Sequence, residues 1–220
     1  QDISQRREVD RLKKEFVSTV SHELRTPLTS IRGSLGLLQG GVAGEIPAQA
    51  KTLVDIALKN SERLVRLIND ILDMEKIEAG RMAFDLRESD LAALLLQAAE
   101  ANRGFAHQYG QAIAVEMPPA QGGLPVRVDV DRFQQVVTNL LSNAIKFSPE
   151  NGTVALRAEA LGETGRVSVT DRGPGIPEAF RSRIFSKFAQ ADSSDTRKKG
   201  GTGLGLSIAK AIVEKMGGRM

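Results

Sequence analysis

The chain has 220 residues, 41% hydrophobic and 26% charged, with 30 Lys and Arg against 27 Asp and Glu. That is enough apolar material for a packed core, which excludes wholesale disorder, and the lack of Cys excludes disulfides, thiol catalysis and cysteine-ligated metal. No Trp, one Tyr and basic residues interleaved with acids argue against nucleic acid as a partner, and no apolar run approaches the ~18 residues of a membrane span.

Residues 1–39 read as one long helix, densely charged over 1–15 and without a signal-peptide pattern. Leu12, Phe16, Val20, Leu24, Leu28, Ile31, Leu35 and Leu38 follow each other at steps of three or four, a single helical stripe that Val9 extends upstream. Pro27 interrupts it and predicts a kink near residues 21–23. Residues 40–47 form a Gly-rich turn. A second stripe runs through Leu53, Ile56, Leu64, Leu67, Ile71, Met74 and Ile77, with Asn60 as its polar intruder, and ends at Ala79-Gly80. Two helices alone expose too much apolar surface. Pairing two hairpins in a four-helix bundle buries it, so a homodimer is expected.

The pattern changes after Gly80, which sets a domain boundary near residues 79–82. Residues 82–87 alternate as a strand, and 91–103 form a helix capped by Asp90. Short strands follow at 112–116 and 126–128, then a helix over 131–147 closed by Ser148-Pro149. Strands at 153–159 and 166–171 flank a Gly-containing turn. Residues 172–202 are mainly loop, and a last helix covers 204–216. Strands and helices in this order predict an α+β sandwich.

Four constellations carry candidate chemistry. His22 falls off the apolar stripe and faces water, where an imidazole is a usable nucleophile near neutral pH. Glu23 is adjacent and could accept its Nδ1 proton; Thr26, four residues on, shares its face. Asn139, Asn143 and Lys146 share one helix face and could serve a metal and phosphates. In Asp171-Arg172-Gly173-Pro174-Gly175, the glycines permit close backbone approach and Asp171 is one acceptor for a donor such as an exocyclic amine. Gly201-Thr202-Gly203-Leu204-Gly205 runs into a helix N-terminus, an anion cradle that is neither a Walker loop nor a Rossmann turn. Upstream, Arg181, Arg183, Lys187, Arg197, Lys198 and Lys199 stand against Asp192 and Asp195 as a basic lid. Each signal alone also fits a bland reading: surface histidine, polar helix face, plain turn, solvated loop.

Their order is what carries information. The chain resembles the two-domain catalytic core of bacterial sensor histidine kinases from about residue 10 to its end. Residues 21–28 look like that family's H box, 139–147 like its N box, and 171–175 and 201–205 like its two glycine boxes. Phe185-Ser186-Lys187-Phe188 looks like its phenylalanine box. The resemblance implies a signalling coiled-coil helix over 1–15, a dimerisation and histidine phosphotransfer domain over 16–80, and an ATP-binding domain over 81–220. It implies ATP and Mg²⁺ as cofactors and His22 as the phosphorylated residue, with Glu23 as its base or tautomer-setter. Asp171 would take the adenine amine and Asn143 the Mg²⁺. Asn139 and Lys146 would contact phosphates or their metal, and residues 201–205 would wrap the phosphates. Phe147, Gly173, Gly175, Lys187, Thr202 and Leu204 would complete the ATP site. Phosphohistidine would pass its phosphoryl group to an Asp on a response-regulator receiver domain. Thr26 stands where phosphatase-competent members hold a water.

Asn139 also stands where related ATPases carry a general-base Glu, and an amide cannot activate water, which favours kinase over hydrolase. The rival from another class is a dimeric coiled-coil module that binds nucleotide without transferring phosphate. Residues 2–4 are similar to the exit of a PAS-type sensor domain, so an upstream sensor is expected. Family members add a strand hairpin after the last helix, which makes the ATP-binding domain here an expected C-terminal truncation. A cytoplasmic bacterial location is expected, with any membrane anchor upstream and no direct membrane contact in this chain.

Overall fold

The computed structural model describes residues 2–117, 123–190 and 201–220, with side chains from Thr19 onward. The chain divides into two compact units, Gln1–Met82 and Ala83–Met220. Val9, Leu12 and Phe16 of the first stripe, and residues 191–200 of the basic lid, lie outside the described side chains.

The first unit is a helical hairpin. Helix α1 (Asp2–Gln39) runs through Pro27 as one helix and α2 (Ala48–Glu78) returns along it. Three bonds fix the antiparallel register: Gln39 Nε2 donates to Asp55 Oδ1 at 2.8 Å, Ser61 Oγ to the Leu28 carbonyl at 3.3 Å, and Arg25 Nη2 to Asn69 Oδ1 at 3.0 Å. The single stripe expected on α2 proves to be two faces. Ser61, Ile68 and Leu72 are buried, whereas Leu53, Ile56 and Leu64 are 68%, 53% and 46% exposed. The exposure is confined to the first half of the expected stripe, since Met74 and Ile77 further along it are buried.

The second unit is α+β. Strand β1 (Arg87–Asp90) pairs antiparallel with β3 (Pro125–Val128). Strand β2 (Ala112–Glu116) runs parallel to β4 (Thr153–Leu161), and β4 turns back into β5 (Thr164–Thr170). Helices α3 (Leu91–Gln108) and α4 (Val130–Phe147) pack on each other and on this sheet. A four-residue helix α5 (Glu178–Arg181) interrupts the long loop, and α6 (Gly205–Lys215) packs on α4. Leu95, Leu141, Ile145, Val154 and Leu156 lie at the fully buried centre. Alternate residues of β4, Val154, Leu156 and Ala158, supply the inward face of a half-covered strand.

Two boundaries differ from expectation. Of the strand expected over 82–87, only Arg87 joins the hydrogen-bonded ladder: Met82 is buried with its N–H donating to the Lys76 carbonyl at the end of α2, and Phe84 and Leu86 are half-buried in irregular chain. Alternation reports which side chains are covered; it does not report where a partner strand lies. The helix expected to stop at Arg103 continues past Gly104 to Gln108, because Phe105 and Ala106 reach the core. That burial outweighs the roughly 1 kcal/mol glycine penalty.

Candidate active site

In the helical unit, His22 and Glu23 lie on the open side of α1, with side chains 74% and 78% exposed. The imidazole Nδ1 stands 3.9 Å from Glu23 Oε1, long for a hydrogen bond and within reach of one after a small rotamer change. Thr26 is exposed one turn further on. Buried Ser21 precedes the pair and half-buried Arg25 follows it, so the histidine is held on a helix while its ring stays in solvent.

In the α+β unit, the site is assembled along one side of α4. Asp129 caps this helix, its Oδ1 accepting from the Arg132 N–H at 3.0 Å and its Oδ2 from the Asp85 N–H at 2.9 Å. Burial pushes the Asp129 carboxyl up, but those backbone N–H groups, with Arg132 nearby, outweigh it and leave its pKa below the ordinary value. The cap fixes where the helical period starts. Phe133, Val136, Val137, Leu141, Ala144 and Ile145 then go into the core, and Asn139, Asn143 and Lys146 remain half-buried.

Two glycine loops meet this helix at different heights. Asn139 Nδ2 donates to the Gly205 carbonyl at 3.1 Å, which joins the second loop to the middle of α4. At the C-terminal end, a Cβ on Gly173 would stand 2.8 Å from the Phe147 carbonyl oxygen. The two junctions are eight residues apart on α4, a separation of about 12 Å at the α-helical rise. Between them lies Asn143, whose amide has no protein hydrogen-bond partner among the described residues.

The first loop turns on Asp171, whose Oδ1 accepts from the Gly173 N–H at 2.7 Å. Its carboxylate is exposed and retains acceptor capacity. The second loop is pinned from both sides. Leu204 is buried in the core, and Thr202 Oγ1 accepts from the Leu204 N–H at 3.2 Å. Gln190 Nε2 donates to the Gly201 carbonyl at 2.9 Å. No side chain caps α6, so its first-turn N–H groups are available to an anion. Phe188 has a φ of 57° and is 62% exposed, with its backbone pressed against Gly203. Lys187 is exposed beside it, and Lys210 Nζ lies 5.1 Å above the Phe185 ring.

The structure therefore brings Asn139, Asn143, Phe147, Asp171, Gly173 and residues 201–205 onto one α4-centred surface. Gly175 stands in the loop beyond Gly173. Lys146 borders a cleft of about 290 Å³ with Tyr109, Ser148 and Glu150, to which the glycine loops do not contribute. His22, Glu23 and Thr26 belong to the other unit. Sequence reasoning missed Asp129 and Gln190. A cap was legible in Asp129, an Asp before an apolar-periodic run, whereas nothing local marks Gln190, whose partner is eleven residues away.

Comparison with known proteins agrees with this arrangement. The His Kinase A (phospho-acceptor) domain matches residues 12–80, and the histidine kinase-, DNA gyrase B- and HSP90-like ATPase domain matches residues 128–220. The circadian input-output histidine kinase CikA of Synechococcus elongatus is 38% identical over 94% of this chain and 28% of its own. Full-length ShkA, crystallised with AMPPNP, superposes with a TM-score of 0.72 at 34% identity, covering 92% of this chain and 41% of that one. The catalytic domain of histidine kinase ThkA is 32% identical, with a TM-score of 0.52 over 60% of this chain and 82% of that domain. ThkA in complex with the response regulator protein TrrA matches 97% of this chain and 58% of that one, at 29% identity and a TM-score of 0.62. The chain spans well under half of the curated relatives it matches, from 14% to 36% of their length. With a phospho-acceptor hairpin preceding an ATPase-type sandwich whose two glycine loops close on one helix, the chain belongs to the sensor histidine kinases.

Proposed function

We propose that this chain autophosphorylates His22 from ATP and passes the phosphoryl group to an aspartate of a response regulator. The observation that carries the proposal is the spacing of the two glycine loops along α4. Asp171 stands at one end as a free acceptor for the adenine amine, and the uncapped α6 N-terminus faces the phosphates about two helical turns away. Residues 16–80 supply the phosphoacceptor and the dimer interface, residues 1–15 the incoming signalling helix, and residues 81–220 the ATP site.

In the transfer, His22 Nε2 attacks the γ-phosphorus, an N–P bond forms, the bond to the β,γ-bridging oxygen breaks, and ADP leaves. The Nδ1 proton stays on the ring and Glu23 stabilises the positive charge that develops there. The phosphoryl group then moves from Nε2 to a carboxylate oxygen of the regulator, returning His22 to its neutral form. ThkA, crystallised with a response regulator, makes a receiver domain the partner of choice.

Among the described residues no His, Cys, Asp and Glu cluster could hold a metal by itself. The site nevertheless fits Mg²⁺ carried by the nucleotide, because Asn143 offers a half-buried amide oxygen with no protein partner among the described residues, and Mg²⁺ takes few protein ligands beside phosphates and water. When bound, the ion neutralises phosphate charge. Lys146 adds a positive charge from the same helix.

Incubation with γ-labelled ATP and Mg²⁺, beside His22→Gln, tests the proposal. The expected result is acid-labile, base-stable label that the substitution abolishes. Label surviving in His22→Gln would move the phosphoacceptor elsewhere. ADP binding with no label in either protein would leave the nucleotide-responsive scaffold.

A further inference from the structure

We infer that Asn139 is a positioning residue: it donates to the Gly205 carbonyl and so latches the N-terminus of α6, the phosphate cradle, onto α4. The inference rests on the nucleotide-site reading above and assigns Asn139 a task other than touching phosphate or metal. Its Nδ2 lies 3.1 Å from the Gly205 oxygen, and its Cγ and Oδ1 stand 3.5 Å from where a Gly205 Cβ would be, ordinary packing contact. The Nδ2 donor is thus engaged within the protein itself. Ser142 Oγ donates to the Asn139 carbonyl at 3.1 Å, a further tie on the same turn.

The geometry matters because α6 has no side-chain cap. Its first-turn N–H groups serve an anion only while they are aimed at it, and a helix N-terminus swings with its first residue. Buried Leu204, Ile208, Ala209 and Ile212 anchor α6 on its apolar side, and Asn139 adds a directional hydrogen bond from α4 to its first residue. Asn143, one turn away, then faces the same anion. An aspartate at 139 would oppose the Gly205 carbonyl with a second acceptor, although it would serve a metal well.

The test compares the whole chain with Asn139→Ala and Asn139→Asp. ADP affinity is measured by calorimetry with Mg²⁺ and with EDTA, amide exchange in nucleotide-free protein, and label transfer against ATP concentration. ADP affinity should fall about tenfold in Asn139→Ala, and at least as far in Asn139→Asp, in both Mg²⁺ and EDTA. Exchange should rise at residues 208–210, the first hydrogen-bonded amides of α6, before any nucleotide is added. Half-saturating ATP should rise by a larger factor than the saturated rate falls; a merely weakened fold would lower the saturated rate alone. Loss confined to Mg²⁺, or full affinity of Asn139→Asp in Mg²⁺, would make Asn139 a metal ligand and overturn the inference. Unchanged exchange at 208–210 would overturn it equally, since no latch would exist. Failure of the unaltered chain to bind ADP would instead overturn the nucleotide-site reading, and this inference with it.

Discussion

Gly173 lies so close to Phe147 that a Cβ would stand 2.8 Å from the Phe147 carbonyl oxygen and 2.8 Å from Asp171 Oδ1. Neither neighbour can retreat cheaply. The carbonyl belongs to the last turn of α4, and the carboxylate is held by the Gly173 N–H itself. Gly173→Ala should therefore displace the loop that presents Asp171 while leaving the core intact. The expected outcome is a loss of ADP affinity of tenfold or more with a melting temperature within a few degrees of the unaltered chain. Calorimetry beside a thermal melt checks it. Unchanged ADP affinity would show that the loop does not carry the base-reading acceptor.

The uncovered face of α2 gives a prediction about assembly. Leu53, Ile56 and Leu64 are each about half exposed or more, and three large aliphatic side chains at helical spacing form a stripe that a second hairpin would bury. Ile56→Glu places a charge in that stripe without touching the α1 contact through Ser61 and Leu28. Sedimentation should show a dimer for the unaltered chain and a shift to monomer, with at least a tenfold weaker association, for Ile56→Glu. A dimer of unaltered strength would put the interface elsewhere.

Asp129 supplies a pH-dependent contribution to stability. Its folded pKa lies below the ordinary 3.8, the backbone hydrogen bonds to Arg132 and Asp85 together outweighing the opposing effect of burial. A group with a depressed folded pKa contributes stability above its unfolded pKa and loses that contribution as pH falls through the folded value. Asp129→Asn keeps one acceptor and loses the charge and the bond to Asp85. It should cost about 1 kcal/mol at pH 7, the usual scale for a helix cap. The gap between the two proteins should stay constant down to about pH 5 and close as acid titrates the carboxylate. Denaturant melts at pH 7, 5 and 3 measure it, and a gap that persists at pH 3 would exclude a charge-dependent contribution.

Much of this fold was legible because its signals are local. Asp90 was identified as the α3 cap, and its side chain does accept from the Ala92 N–H at 3.2 Å. Asp90 Oδ1 also accepts from the Leu124 N–H at 2.9 Å, a tie across 34 residues that no local pattern announces. The second face of α2 escaped for a related reason: periodicity identifies apolar positions without saying which neighbour covers each. Glycines in the two loops were legible as permissive backbone. What the sequence could not say was that the obstacle to a side chain is Phe147 in one case and Phe188 in the other, since both are contacts between segments distant in the chain.

Gly203 and Gly175 separate those two reasons for glycine. Both have positive φ, +72° and +75°. Around Gly175 a Cβ would meet nothing within 4 Å, whereas at Gly203 it would stand 2.8 Å from the Phe188 carbonyl carbon and 2.9 Å from its Cα. Asn tolerates the left-handed region better than other side chains. Gly175→Asn should therefore be mild, costing about 1 kcal/mol or less. Gly203→Asn satisfies the dihedral but not the space. It must push the Phe188 backbone away, and Phe188 already holds a φ of 57° that few non-glycine residues adopt. The expected result is a melting temperature within a few degrees of the unaltered chain in Gly175→Asn, and a clearly lower one with at least a tenfold loss of ADP affinity in Gly203→Asn, read by thermal melts and calorimetry. Equal, mild effects at both positions would mean that the Gly203–Phe188 contact yields easily and does not hold the phosphate loop in place.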